Sequence, residues 1–270
     1  MCYYKSLKIK HRDLLAKLEI NREARDMELL ENENSNRIQS GFEYSLVDII
    51  IPKKDCKWDL VEMEWGFIPQ YWWTRADVDK IRRGYMDEKT GKYRPPITTL
   101  NAIGEELLLN GKMYRDAALN RRCLFPATEF YEWRHIFPIG KKGQPLKTAV
   151  KYPYRIAVKD EEVFFIAGIW QPWTDRETGE TIDTCALVTT KANGLMEQIH
   201  NSKKRMPAIL TSELAGEWIS DGLTEERITE IASFQLPAAQ MTAHTIKKDF
   251  LSVSDADEHF EYQGLPALML

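Results

Sequence analysis

The sequence predicts an α+β fold, a single domain in which helices flank a curled, mainly antiparallel, barrel-like β-sheet. The chain has 270 residues, 43% of them hydrophobic and 29% charged, which is typical of a globular domain and not of a disordered or coiled-coil chain. Short β-rich runs follow one another with brief turns between them, which favours antiparallel pairing. Amphipathic segments with helical spacing lie on either side of these runs.

The N-terminal part of the chain predicts one helix, two strands and an insertion. Apolar residues recur at near-helical spacing among many charges over residues 11–34, which indicates a surface helix. Strands are predicted at residues 44–51 and 61–68, each closed by a proline. An aromatic loop follows at residues 70–73. Residues 74–96 are rich in charge, glycine and proline, and we expect a partly helical surface insertion there.

The remaining elements alternate between short helices and strands. A helix is predicted at residues 104–114, and a strand at residues 123–133 with an interruption at Pro126. The hydroxyls of Thr211 and Thr224 suit the N-caps of two late helices. The other predicted elements are strands at 154–158, 163–170 and 184–190, a short helix ending near Ile199, an apolar run at 208–210 and a last strand at 241–246.

Domain organisation and cellular location follow from what the sequence does not contain. No repeat or flexible linker divides it, so residues 1–250 are predicted to be one domain, followed by a loose acidic tail at 251–270. No window approaches about eighteen apolar residues, and the first residues lack the apolar run of a secretory signal. We therefore expect a cytoplasmic monomer with no membrane contact.

Four cysteines are present, at positions 2, 56, 123 and 185, without a CxxC pair. In the cytoplasm we expect them to be reduced, and we expect neither a metal nor a cofactor.

Cys2 stands apart because removal of the initiator methionine before a small residue would leave an N-terminal cysteine. Its thiol and α-amine would lie on adjacent carbons, and an α-amine has a pKa of about 7.7–8.0. Such a 1,2-aminothiol condenses with an aldehyde to an imine and then closes a thiazolidine ring. The alternative is that position 2 merely tolerates a small residue.

Several short motifs occur in a fixed order along residues 1 to about 250. They are Met1-Cys2, WGFIP at 65–69, LNA at 100–102, RRCLFPA at 121–127, FYEW at 130–133, and Ile199-His200 followed by RMP at 205–207. Taken jointly, these motifs resemble those of the SRAP family, the SOS response-associated peptidases or abasic-site processing proteins. The resemblance implies an SRAP-like fold and a role in the response to DNA damage.

The resemblance also implies an activity. Members of the family lose the initiator methionine, bind single-stranded DNA and join the N-terminal cysteine to the aldehyde of an abasic site in a covalent thiazolidine crosslink. The same site is proposed to act as an autopeptidase on the bond that follows Met1. The family's catalytic residues correspond to Cys2, Asn101, Glu132 and His200. An amide can orient the amine, a partly buried glutamate can carry protons, and an imidazole can assist sugar ring opening. Asn101 could instead be a turn or helix cap, and Glu132 an outward-facing strand residue.

A net charge of −4 argues against a uniformly basic surface, but basic residues cluster beside the candidate catalytic positions. A local basic groove can hold a few phosphates, and exposed aromatic rings can stack on bases of a single strand. The alternative assigns the aromatic residues to the core and the basic runs to solvated faces, which we favour for residues 80–83. The predicted DNA contacts are Trp65, Trp72, Trp73, Arg121, Arg122, Lys203, Lys204 and Arg205.

The sequence departs from the family pattern at two places where an arginine is common. Tyr3 and Tyr4 stand where many members have Gly-Arg, and Ile103 stands where many have arginine. Lys5 or residues 203–205 are candidates to replace the missing phosphate contacts. Two other functions remain open: an amidohydrolase that uses an N-terminal cysteine as nucleophile, and a single-stranded DNA-binding module without chemistry.

Overall fold

The computed structural model describes residues 2–18, 38–53, 58–253 and 256–269. The strands within these ranges are β1 (Tyr4–Ser6), β2 (Ile38–Ser40), β3 (Leu46–Ile51), β4 (Asp59–Trp65), β5 (Tyr85–Asp87), β6 (Lys92–Arg94), β7 (Asn101–Ile103), β8 (Arg122–Ala127), β9 (Glu129–Ile136), β10 (Val150–Val158), β11 (Phe164–Thr174), β12 (Thr181–Lys191), β13 (Arg205–Pro207), β14 (Ile209–Leu210) and β15 (Met241–Thr245). The helices are α1 (His11–Lys17), α2 (Arg75–Arg83), α3 (Arg115–Asn120), α4 (Gly194–Ile199), α5 (Ser212–Trp218) and α6 (Glu225–Ala232).

A closed five-stranded barrel forms the centre of the fold. Its strands pair in the order β12, β4, β3, β8 and β11, and β11 pairs back with β12 to close the ring. All of these pairs are antiparallel except β12 with β4. Closure leaves no free edge within the ring, so every barrel strand has a partner on both sides. The predicted α+β class with a barrel-like, mainly antiparallel sheet is confirmed.

A second sheet lies beside the barrel and carries the N-terminal strand. Its order is β15, β10, β9, β1 and β2, and all four pairs are antiparallel. The chain passes from the barrel to this sheet at Thr128, between β8 and β9, and the Thr128 amide donates to the Ser6 carbonyl. The predicted interruption at Pro126 is wrong, because Pro126 lies inside β8 opposite Phe165.

The core has two large parts, one on each side of the barrel wall. One contains buried residues of α1, α3, α5 and α6, and Trp218 is its largest fully buried side chain. The other contains Cys2, Trp65, Phe125 and Ile199. The N-terminal cysteine therefore belongs to the same apolar cluster as the end of α4.

Most predicted helices are present, with one clear exception. The predicted helix at 104–114 is wrong. Only a 3₁₀ turn forms, at Gly104–Glu106, and α3 begins at Arg115. Gly111 has a φ of 79°, a left-handed value that a continuing α-helix does not allow. The N-caps at Thr211 and Thr224 are confirmed, since each hydroxyl accepts a hydrogen bond from the amide three residues later.

Three other predicted segments lie wholly or partly within the described residues. For the helix predicted at 11–34, α1 covers the first seven residues, and residues 19–34 lie outside the described part of the chain. Residues 74–96 form α2 and the β5–β6 hairpin, as a partly helical insertion would. The acidic tail has no helix or strand over residues 256–269, but it is not loose. Its Phe260 amide donates to the Thr245 carbonyl at 2.9 Å.

Candidate active site

The N-terminal segment is fixed by strand pairing on both sides. Lys5 pairs with Phe130 of β9 and with Gln39 of β2. Cys2 comes just before this strand, its side chain is fully buried, and its thiol donates to the Tyr4 carbonyl at 3.6 Å. The position of the thiol is therefore set by β1 and its two neighbours.

Glu132 lies on β9, opposite Tyr154 of β10, and its side chain is buried. Burial raises the pKa of Glu132 to about 7. Burial also raises the pKa of Cys2 to about 12, and the Glu132 carboxylate adds to this rise. The thiol and the carboxyl group thus share one low-dielectric environment. The alternative that Glu132 faces outward from its strand is wrong.

His200 directly follows α4 and is also buried. Its Nδ1 lies 2.7 Å from the Arg205 carbonyl oxygen, and its Nε2 lies 3.9 Å from Glu132 Oε2. A carbonyl oxygen only accepts, so Nδ1 carries the proton and Nε2 presents its lone pair towards Glu132. Burial lowers the pKa of His200 to about 4, which keeps the imidazole neutral at pH 7.

Asn101 begins β7, whose partner at this position is Leu187 of β12. The alternative that it caps a turn or helix is therefore wrong. Its side-chain Oδ1 and Nδ2 are both buried and have no hydrogen-bond partner among the described residues. A buried polar group without a partner costs about 1–3 kcal/mol. Such an amide is typical of a site that binds a polar group from outside the folded chain.

The strand of Glu132 and the turn of His200 are joined by a residue that sequence reasoning missed. The Asn201 side chain accepts from the His135 amide at 2.9 Å and donates to the His135 carbonyl at 2.8 Å. These two bonds connect β9 to the residue that follows His200. The only signal in the sequence was the position of Asn201 beside His200, which does not identify its partner.

The three tryptophans predicted to contact DNA occupy different environments. Trp65 is fully buried, with its Nε1 donating to the Leu100 carbonyl at 3.0 Å, so it has no surface on which a base could stack. Trp72 is buried against Ile68. Trp73 is 55% exposed, and the neighbouring Tyr71, which was not among the predicted contacts, is 63% exposed. Only Trp73 of the three offers an accessible ring face.

The predicted arginine contacts with DNA are engaged inside the protein. Arg122 is buried and donates to the carbonyl oxygens of Ala118, Leu119, Trp218 and Ser220 at 2.6–2.8 Å. It therefore donates to carbonyl groups at the C-terminal ends of α3 and α5, which lack donors within their own helices. Its burial leaves no guanidinium surface for a phosphate.

Arg121 and Arg205 are also paired with carboxylates. Arg121 pairs with Asp116 and donates to the Trp170 carbonyl at 3.2 Å. Arg205 makes a bidentate pair with Glu105, at 3.1 and 2.7 Å. Both guanidinium groups would have to exchange an existing carboxylate for a phosphate.

The lysines of the predicted groove differ in exposure. Lys203 and Lys204 are exposed in the turn after His200, where Lys204 Nζ lies 3.9 Å from Glu197. Lys5 is fully buried, and its Nζ donates to Gln39 Oε1 at 2.7 Å and to the Pro126 carbonyl at 3.1 Å. Burial lowers the pKa of Lys5 to about 8. Lys5 cannot replace the missing phosphate contact.

The basic run at residues 80–83 was predicted to be a solvated face and not a DNA contact, and it is solvated only in part. Arg82 is buried, 2.8 Å from Glu64, and stacks on the Tyr44 ring at 3.8 Å. Lys80 and Arg83 are exposed.

The tyrosines that replace Gly-Arg pack against other aromatic rings. The ring centroids of Tyr3 and Phe42 are 4.7 Å apart, and those of Tyr4 and Trp133 are 5.2 Å apart.

Comparison with known proteins agrees with the motifs. The model of the family described as SOS response associated peptidase (SRAP) matches residues 1–253. The chain belongs to the SRAP family. Among SRAP-related proteins, Abasic site processing protein YoqW of Bacillus subtilis is 36% identical over 166 residues, which are 62% of this chain and 59% of YoqW. The chain thus spans about three fifths of the length of this relative.

Other relatives are more distant in sequence or known from structure. Abasic site processing protein YobE of Bacillus subtilis is 32% identical over 69% of this chain and 70% of its own. Abasic site processing protein HMCES of Xenopus tropicalis is 29% identical over 60% of this chain and 45% of its own. A crystal structure from Bacteroides thetaiotaomicron has a TM-score of 0.75 at 28% identity and covers 95% of this chain and 97% of its own. The SRAP fold therefore accounts for nearly the whole chain.

Two further features are absent from the described residues. None of their helices is long and apolar enough to span a membrane. The same ranges contain no group of three or more His, Cys, Asp or Glu side chains arranged to hold a metal ion.

Proposed function

We propose that this SRAP protein processes abasic sites in single-stranded DNA by forming a covalent crosslink through Cys2 after Met1 is removed. The observation that carries the proposal is that Glu132 and His200 lie 3.9 Å apart, both buried, in the environment that also holds Cys2. The names of the similar proteins YoqW, YobE and HMCES support abasic-site processing.

The crosslink forms in two steps, imine formation and ring closure. The Cys2 α-amine attacks the aldehyde carbon of the ring-opened sugar, and the carbinolamine loses water to give an imine. The thiol sulfur then adds to the imine carbon, and its proton passes to the nitrogen. One C–N and one C–S bond form, the C=O bond is lost, and one water leaves. The second step is intramolecular, so it benefits from a high effective molarity.

Proton movement in these steps is assigned to Glu132 and His200. A carboxyl group with a pKa of about 7 is half protonated at neutral pH, so it can donate to the departing hydroxyl and accept from the amine. The lone pair on His200 Nε2 can accept a proton from the sugar hydroxyl as the ring opens. The Asn101 amide, whose atoms have no partner in the described part of the chain, would bind the amine or the sugar without adding charge.

The same groups support an autopeptidase step. Hydrolysis of the Met1–Cys2 peptide bond needs a base for the attacking water or thiol and an acid for the leaving amine. Glu132 and His200 supply these two roles. This step would create the free α-amine that the crosslink requires.

DNA would be held chiefly by stacking and by a small number of exposed cations. Trp73 and Tyr71 offer accessible rings, and Lys203 and Lys204 offer ammonium groups beside His200. Arg121 and Arg205 would contribute only by releasing their carboxylate partners.

The test uses Met-free protein, verified by mass, with a single-stranded oligonucleotide that carries one abasic site. A denaturing gel without reductant should show a shifted band, and its mass should equal protein plus DNA minus one water. Cys2→Ala should abolish the band, while Cys56→Ala, at another of the four cysteines, should keep it. A band that persists in Cys2→Ala would overturn the proposal.

The alternative functions predict different results in the same assay. An amidohydrolase with Cys2 as nucleophile would release ammonia from glutamine and give no crosslink. The raised pKa of Cys2 disfavours the thiolate that an acyl-enzyme mechanism uses. A DNA-binding module without chemistry would shift the oligonucleotide on a native gel but not on a denaturing gel.

A further inference from the structure

The C-terminal residues 256–269 lie beyond the region that the SRAP family model matches, yet they contact the strand and the helix that carry the candidate acid–base pair. These contacts concentrate in the last residues of the tail, from Leu265 to Met269. We call residues 265–269 the terminal segment.

One contact is on the sheet face that carries Glu132. In β9, Glu132 and Arg134 are two residues apart and so point to the same face. Their partners in β10, Tyr154 and Tyr152, point to that face as well, because directly opposite residues of an antiparallel pair share a face. The Arg134 guanidinium donates to the Pro266 carbonyl at 2.5 Å. The terminal segment therefore reaches β9 two residues from Glu132.

Further contacts hold the tail in place, both before and within the terminal segment. The Tyr262 ring packs against Tyr152 with centroids 4.9 Å apart, and its hydroxyl donates to the Ile246 carbonyl at 2.7 Å. Leu265 and Leu268 pack against the core cluster that contains Cys2 and Ile199. Apolar and polar contacts thus fix the path of the tail up to Met269.

The other contact is on α4, the helix that ends next to His200. The Gln198 amide donates to the Met269 carbonyl at 2.6 Å, and its oxygen accepts from the Met269 amide at 2.8 Å. This paired geometry resembles one rung of a strand ladder. A helix of six residues is too short to be stable without tertiary contacts. The terminal segment supplies two such contacts.

We propose that the terminal segment is a positioning element that holds β9 and α4 together, so that Glu132 and His200 keep the separation that proton transfer needs. Its link to the reaction rests on the proposed function. Asn201 joins the same two elements on the far side of His200. The turn that carries His200 is therefore held at Gln198 on one side and at Asn201 on the other. Attachment at two points limits both rotation and translation of the turn.

The first experiment shortens the chain by a stop codon after Gly264. This removes the terminal segment and keeps the contacts of Phe260 and Tyr262. We expect the rate constant of crosslinking at saturating DNA to fall by on the order of tenfold to a hundredfold, since small displacements of reacting groups have effects of this size. DNA affinity should stay within about twofold. Equal loss of affinity and rate would indicate a general folding defect and overturn the proposal, as would a faster reaction.

Point variants test the two contacts in the full-length chain. Gln198→Ala removes both bonds to Met269 and should reproduce much of the loss in rate constant, whereas Gln144→Ala, an exposed glutamine in the β9–β10 loop, should have no effect. Leu268→Asp should be slow, and the apolar Leu268→Met should restore the rate. Normal rates in both Gln198→Ala and Leu268→Asp would contradict the positioning role.

The second readout is the His200 imidazole titration by NMR, which needs no reaction. The titratable groups that interact with this pair or with Cys2 beside it include the N-terminal amine, Cys2, Tyr3 and Lys5 from the N-terminal segment, His135 from β9 and Lys203 from the turn. In the shortened chain, the pKa of His200 should move up from about 4 towards its ordinary value. An unchanged titration would overturn the inference even if no crosslinking were found, while a shift without crosslinking would contradict only the proposed function.

Discussion

His200 Nε2 lies 3.9 Å from Glu132 Oε2, and the two groups titrate in the reverse of their ordinary order. Burial raises the pKa of Glu132 to about 7 and lowers the pKa of His200 to about 4. Between these values the carboxyl group is protonated and the imidazole is neutral. At slightly acidic pH the two side chains are therefore both uncharged and do not form an ion pair. This protonation state suits a site that transfers protons.

Replacing Asn101 with leucine should separate stability from activity. The amide has two buried atoms that lack hydrogen-bond partners within the described ranges, so an apolar side chain of similar size should leave the free energy of unfolding unchanged or raise it by about 1 kcal/mol. The same change should lower the crosslinking rate at least tenfold. Urea unfolding and a gel time course measure the two effects. In contrast, Asn120→Leu, which loses two bonds to Asp116 at the end of α3, should keep the rate. A destabilised but active Asn101→Leu protein would contradict this role.

Glu132→Gln should change how stability depends on pH. The folded pKa of about 7 exceeds the ordinary 4.5, so the folded state holds the proton more tightly, and stability falls as pH rises from about 4.5 to 7. The glutamine variant lacks this loss. At pH 8 it should exceed the original protein in stability by an amount on the order of 3 kcal/mol. Urea unfolding at pH 5 and pH 8 checks this, with the exposed Glu161→Gln as control.

His200→Gln should change the dependence of stability on pH at acidic pH. The folded pKa of about 4 lies below the ordinary 6.5, so the unfolded state binds more protons in this window, and stability is lost as pH falls from 6.5 to 4. The variant should show a flatter decline over that range. Thermal unfolding at half-unit steps of pH would measure it, and parallel curves for the two proteins would refute the prediction.

Lys203→Ala should reduce the salt dependence of single-stranded DNA binding. One lost phosphate contact lowers the slope of log affinity against log salt by about 0.7. Arg205→Lys should leave the slope unchanged, because Arg205 is paired with Glu105, and should instead lower stability. Fluorescence anisotropy between low and moderate salt measures both slopes. A larger slope change for Arg205 than for Lys203 would show that the Glu105 pair opens on DNA.

Trp73 and Trp65 should give opposite results on mutation to alanine. Loss of the exposed Trp73 should weaken single-stranded DNA binding by about 1–3 kcal/mol, the range for one stacked base, with little change in stability. Loss of the buried Trp65 should lower stability by about 3–5 kcal/mol. The exposed Leu109→Ala is the control for both. Unchanged binding in Trp73→Ala would remove this residue from the DNA path.

Much of the fold was predictable because it depends on local pattern. The strands around residues 44–51, 154–158, 163–170 and 184–190 follow from runs of β-branched and aromatic residues, and the caps at Thr211 and Thr224 from a hydroxyl at a helix start. The helix predicted at 104–114 failed because a left-handed glycine at Gly111 overrides the apolar spacing. Closure of the barrel required pairings between distant strands, which no local pattern encodes.

The sequence by itself determined the family, because ordered motifs are a property of the linear chain, and the same motifs predict Cys2, Asn101, Glu132 and His200 as the catalytic residues. Only the tertiary structure decided which charged and aromatic residues reach solvent. Arg122 and Lys5 are buried by elements far away in the chain, and the buried side-chain atoms of Asn101 have no hydrogen-bond partner among the residues that the structure describes. Burial is a collective result of packing, so a residue's type and neighbours do not reveal whether its polar atoms face a core, a carboxylate or open solvent.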